Sequence, residues 1–177
     1  MQTSRKPWDT TPGVVLDTNV WLDLLLFDDP RTLRLSELVD ASCVRLLASA
    51  ATRAEWQRVL GYPQLGLDTP TQQRLLQSHD ALAFRVDEAS AAIADHPAVS
   101  SRLPRCRDPD DQMFLELAAG AGAVSLLTRD NALLELDRRC RRAAGFAVCR
   151  PETWLAGFSA TDGPADEAGG KVPRTDR

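Results

Sequence analysis

A chain of 177 residues has the length of one domain and is long enough to bury a real core. Its 21 Lys and Arg against 25 Asp and Glu leave a net charge of −4, which excludes nucleic-acid binding by bulk charge alone. No stretch approaches the ~20 apolar residues of a membrane span, and residues 1–12 carry Arg5 and Lys6 with no apolar segment behind them, so the expected location is the cytoplasm.

Strand-like and helix-like segments alternate, a pattern that predicts a parallel sheet with helices on both faces. The first strand is expected over residues 14–16 and is followed by a helix over 18–27. A second helix over 31–41 precedes a strand over 44–48. Ser49 is placed to cap the next helix, which runs to Leu60 and stops before Gly61-Tyr62-Pro63. The polar segment 71–83 reads as a further helix and 84–86 as a short third strand. From 110 to 120 the period is helical, with Phe114, Leu117, Ala118 and Ala121 on one stripe. A fourth strand over 123–128 leads into a helix from Asn131 that carries Arg138, Arg139, Arg141 and Arg142. A fifth strand over 146–149 and a short helix over 151–158, opened by Pro151, complete the order. Residues 1–12 are expected to be a flexible extension. Beyond Phe158 the only large aliphatic residue is Val172, and no aromatic follows, so 159–177 is expected to be disordered. The domain itself is assigned to 13–158.

Two of these strands end in an aspartate that opens a helix, Asp17 and Asp130. In an open parallel sheet the residue just past a strand's carboxyl end lies in the crevice where ligands bind, so two such strands can bring two carboxylates together. Glu55 and the run Asp108-Pro109-Asp110-Asp111 lie between them in sequence, enough acid to hold a hard divalent cation with oxygen ligands. Two carboxylates ~4 Å apart repel by roughly 4 kcal/mol at an effective dielectric of ~20, and a Mg²⁺ or Mn²⁺ ion would offset that repulsion. The pattern therefore points to a metal-dependent phosphodiester enzyme. Each aspartate also suits a helix N-cap, and Asp108 most of all, because Pro109 follows it at a first helical position. Asp108 is accordingly read as a cap with a supporting role, and Asp111 as a carboxylate beside the core-facing stripe. Glu55 has Ala51 and Val59 at i−4 and i+4, while Arg58 at i+3 offers a local ion pair in place of a functional role. Asn19 and Thr128 are small polar groups able to support Asp17 and Asp130.

Other constellations are weaker. Lysine occurs only at Lys6 and Lys171, so nearly every cation is arginine, the side chain suited to bidentate phosphate contacts. Arg102, Arg105 and Arg107, with Arg129 beside Asp130, are the candidates for holding a nucleic-acid backbone. Cys43, Cys106, Cys140 and Cys149 show no C-x-x-C spacing and read as reduced, mostly buried thiols. His79 and His96 are isolated in polar surroundings and read as solvated. Trp21, Trp56 and Trp154 read as core or interface residues.

The segments Val-Val-Leu-Asp17-Thr-Asn19, Glu55, Arg-Asp108-Pro-Asp-Asp111-Gln-Met-Phe-Leu-Glu-Leu-Ala and Leu-Leu-Thr128-Arg-Asp130 together resemble the PIN-domain nucleases. The Asp-Pro-Asp-Asp form is similar to the branch of PIN-family toxins in bacterial toxin-antitoxin pairs. The resemblance implies a three-layer α/β/α fold with a five-stranded parallel sheet. It also implies an Mg²⁺- or Mn²⁺-dependent endoribonuclease acting on RNA, typically a homodimer silenced by a cognate antitoxin. The implied catalytic and metal-holding quartet is Asp17, Glu55, Asp111 and Asp130, with Asn19, Asp108 and Thr128 in support. A PIN-like scaffold that binds RNA or protein without cutting is the alternative. A phosphatase using Asp17 as nucleophile is a further one, set back because neither lysine lies in the α/β core.

Overall fold

The computed structural model describes residues 11–87 and 102–158. The expected flexible extension and tail lie essentially outside them. Strand β1, Gly13–Leu16, is followed by helix α1, Thr18–Leu25, and α2, Pro30–Asp40. Strand β2, Arg45–Ala48, leads to α3, Ala50–Leu60, which Ser49 and Thr52 open with a reciprocal capping box. Helix α4, Thr69–Leu82, passes directly into strand β3, Ala83–Arg85. Then come α5, Gln112–Gly120, β4, Ser125–Leu127, α6, Asn131–Leu134, α7, Asp137–Ala144, β5, Ala147–Cys149, and α8, Pro151–Gly157.

All five strands are parallel, in the order β3-β2-β1-β4-β5. β1 is central, paired to β2 through Val14↔Leu46 and to β4 through Val15↔Leu126. It is buried throughout, as a parallel strand covered on both faces must be. Its side chains alternate between two cores. Val14 and Leu16 join Val20, Trp21, Leu35, Leu46 and Trp56 under α1 to α4 and α8, while Val15 joins Phe114, Leu115, Leu126, Leu133 and Cys140 under α5 to α7. Close approach explains Gly13, where an added Cβ would stand 2.6 Å from Leu47 Cδ1.

From β1 the chain winds outward through β2 to β3, then returns to place β4 on the other side of β1. Opposite winding opens a crevice at the carboxyl ends of β1 and β4, the usual ligand site of such sheets.

Three local expectations change. The helix after Asn131 is two helices, with a turn at Glu135–Leu136 that lets the Asp137 carboxylate accept the Val148 N–H of β5 at 2.7 Å. Helix α5 begins at Gln112, so Asp108 does not cap it; its carboxylate accepts the Asp110 N–H at 3.0 Å in the preceding turn. His79 is not solvated. It lies 1% exposed on the apolar side of α4, its ring 4.4 Å from Trp21 and 5.9 Å from Trp56.

Candidate active site

Asp17 follows β1 directly and is 3% exposed. Its backbone N–H donates to Leu127 O of β4, which fixes the two strand ends side by side. As N-cap of α1 it accepts the Asn19 N–H at 3.2 Å on Oδ1, while Oδ2 accepts the Thr128 hydroxyl at 2.6 Å. Burial raises its carboxyl above the ordinary value even against these hydrogen bonds. Thr128 is fully buried, and its Oγ1 also accepts the Asp130 N–H at 2.9 Å. One hydroxyl thus joins both aspartates. Asp130 caps α6 through the Ala132 N–H at 2.7 Å.

Asp111 arrives from the other side of the crevice, at the N-cap position of α5, yet its side chain makes no capping bond there. Burial and the charges of Asp17, Asp108 and Asp130 push its carboxyl up to about 7, and Asp130 lies within hydrogen-bonding reach. Every charge that shifts Asp111 is negative. Asp17, Asp111 and Asp130 therefore form one electrostatic group, with Asp108 at its edge.

Glu55 stands apart from that group. Its Oε2 accepts from Arg58 Nε at 2.9 Å and Nη2 at 2.6 Å, the local pair that the i+3 spacing offers. Arg58 also reaches Tyr62 Oη at 2.6 Å and Asp110 at 3.4 Å, so it ties α3 to the turn that presents Asp111. Arg129 is committed within the protein. It pairs with Asp23, with Glu152 at 2.5 Å and with Asp29 at 3.5 Å, joining the loop after β4 to α1, the cap of α2 and α8. This network was not visible in the sequence, because its three acids follow no local spacing. Arg107 meets Glu135 at 3.9 Å, Arg105 lines a cleft with Gln112 and Glu116, and Arg102 faces another with Arg139 and Arg142.

The pattern of the family model for the PIN domain matches residues 13–132. The chain belongs to the PIN-domain family. PIN domains are generally nucleases and typically use divalent metals. No curated protein matches the chain. Among solved structures, the crystal structure of VapBC2 from Rickettsia felis bound to a DNA fragment from their promoter is similar, at 14% identity and a TM-score of 0.55. The match covers 77% of this chain and 96% of that one, and it shows the shared fold.

The PIN residues fit a hard cation in their chemistry. The group is all carboxylate oxygen; besides burial, the charge of Asp130 raises Asp17, and the charges of Asp17 and Asp130 raise Asp111. As they stand, among the described residues, no three His, Cys, Asp or Glu side chains form a ready coordination cage. Among those residues no helix is long and apolar enough to cross a membrane.

Proposed function

We propose that this PIN domain, spanning residues 13–158, is a Mg²⁺- or Mn²⁺-dependent endoribonuclease. We assign it the toxin role of a cytoplasmic toxin-antitoxin pair, as a homodimer. The observation that carries the nuclease reading is geometric: Asp17 and Asp130, at the carboxyl ends of β1 and β4, are joined by the Thr128 hydroxyl, and Asp111 lies within reach of their charge. Carboxylates gathered in this way repel one another, and a cation offsets that repulsion. The antitoxin partner draws on the family and on the shared fold with VapBC2.

In this reading Asp17, Asp111 and Asp130 hold the cation, with Glu55 as the fourth acid. When bound, the cation lowers the pKa of a water and offsets charge developing on the scissile phosphate. Asp17 is kept in place by the Thr128 hydroxyl and the Asn19 N–H, and Asp130 by the Ala132 N–H. Glu55 is assigned to hold or deprotonate the attacking water, beside the acidic turn to which Arg58 ties it. A second reading, a PIN scaffold that binds without cutting, draws on the engagement of Glu55 by Arg58.

Single-stranded and structured RNAs incubated with the full chain, with Mn²⁺ or with EDTA, separate the two. The nuclease reading expects cleavage of single strands that EDTA abolishes. Cleavage indifferent to EDTA removes the metal from the mechanism, and binding without cleavage selects the scaffold.

A further inference from the structure

Most arginines that the structure describes near an acid are spent on it. Arg31 meets Asp29, Arg53 meets Asp80, Arg58 meets Glu55, Arg129 meets three acids and Arg141 meets Asp137. Arg102, Arg139 and Arg142 differ. With Ala143 they line one cleft of about 350 Å³, all three are exposed, and among the described residues none has a carboxylate within ion-pair distance. Arg139 and Arg142 are three residues apart on α7, hence neighbours on one face, while Cys140 between them turns into the core. Three like charges facing one space, in a chain of net charge −4, repel one another unless an anion lies between them.

Two chain segments lead from the acidic site to the cleft. Asp130 caps α6, which α7 follows with Arg139 and Arg142, and the segment 102–111 begins at Arg102 and ends at Asp111. Arg107 and Glu135 bridge the two at 3.9 Å, and Leu103 and Cys106 pack in the same core as Cys140. The acids at the centre repel a polyphosphate, so an RNA strand needs its cationic hold outside them. Guanidinium forks supply one, since they match phosphate oxygens two at a time.

We infer that the cleft of Arg102, Arg139 and Arg142 is a phosphate-binding site for the RNA strand, outside the acidic centre. The inference rests on the proposed function for its ligand, and it assigns where the strand is held.

The test is fluorescence anisotropy of a labelled oligo-uridine with the full chain in EDTA, over a salt series. For a single strand, the slope of log K against log salt falls by about 0.7 for each phosphate the protein no longer neutralises. R102A/R139A/R142A is expected to flatten the slope by about 2 and to bind about tenfold more weakly or worse at low salt. Alanine at two of these positions favours the helix, and the third lies in a turn, so folding is preserved. R34A, on the opposite side of the sheet, leaves the slope unchanged. Lysine at all three positions restores the slope while recovering only part of the affinity. An unchanged slope in the triple alanine variant overturns the site. So does an unchanged slope accompanied by loss of poly-glutamate binding, which assigns the cleft to an acidic protein. If the slope flattens but the wild type with Mn²⁺ cuts no RNA, the nuclease reading fails and the phosphate site stands. If it cuts and the slope does not change, the phosphate site alone fails.

Discussion

At the scale of residues, capping and metal holding do not compete for Asp17 and Asp130, because each caps its helix through one oxygen only, the other oxygen of Asp17 accepting the Thr128 hydroxyl. Their asparagine variants therefore differ. In Asp130→Asn the amide oxygen keeps the Ala132 bond and the lost charge relieves the group, so in EDTA the variant is expected to match or exceed the wild-type melting temperature. Cleavage should still fall at least about a hundredfold, since a neutral amide is a poor ligand for a hard cation. Near-wild-type cleavage by Asp130→Asn removes it from the centre. In Asp17→Asn the amide N–H₂ either faces the Asn19 N–H or donates to Thr128 Oγ1 and leaves the hydroxyl proton without its acceptor, in a nearly dry position. A mispaired buried polar group costs about 1–3 kcal/mol, so this variant should lose activity and stability together. Equilibrium unfolding in urea distinguishes the two.

At the scale of elements, the Arg129 network decides how α8 and the α1–α2 corner sit beside the site. Arg129→Ala strands Asp23 and Glu152, both half-buried, without their main partner. Removing one member of such a cluster costs about 3–5 kcal/mol when fully buried, and about 1–3 kcal/mol is expected here, where solvent still reaches the groups. That is a fall of several degrees in melting temperature for a chain of this size. The salt slope of RNA binding should not move, because the guanidinium is spent within the protein; a flattened slope with unchanged stability would return Arg129 to the RNA. The contrast shows what the sequence made legible. β1 and β4 were readable because central parallel strands are continuous apolar runs, and Asp17 and Asp130 follow from being next in the chain. Glu55 and Arg58 were readable as a pair because three residues separate them. Arg129 meets Asp23 across 106 positions, and Trp21 meets His79 across 58, so their partners depend on how the helices rotate on the sheet. The start of α5 shifted for a related reason, since proline and several acids suit a turn as well as a first helical turn.

For the whole molecule, His79, Asp17 and Asp111, all shifted by burial, set the pH dependence of the metal-free fold. Burial between Trp21 and Trp56 holds His79 below its ordinary value, so its contribution is present above the unfolded value of about 6.5 and is lost as pH falls through the folded one. Asp111 and Asp17, both raised, run the other way. The folded value of Asp111, about 7, lies above the unfolded 3.8, so its contribution is full below about 3.8, falls steadily as pH rises from there and is gone once pH has passed through 7. Asp80, lowered by Arg53, adds a loss only in stronger acid. In EDTA the raised aspartates therefore oppose the His79 gain between about pH 4 and 7, and their effect levels off above about pH 8. Asp111→Asn is expected to melt progressively higher relative to the wild type as pH rises from about 5 to 7, with the gap constant above about 8, because the cost of ionising that carboxyl is gone. Mn²⁺ competes with the Asp111 proton, so its stabilising shift should grow from about pH 6 to about pH 8 and be absent in Asp111→Asn. Thermal melts across that range, with and without metal, check this directly. A melting-temperature gap between Asp111→Asn and the wild type that stays constant from about pH 5 to 8, or a Mn²⁺ shift that does not depend on pH, would separate Asp111 from the cation and leave Asp17 and Asp130 as its holders.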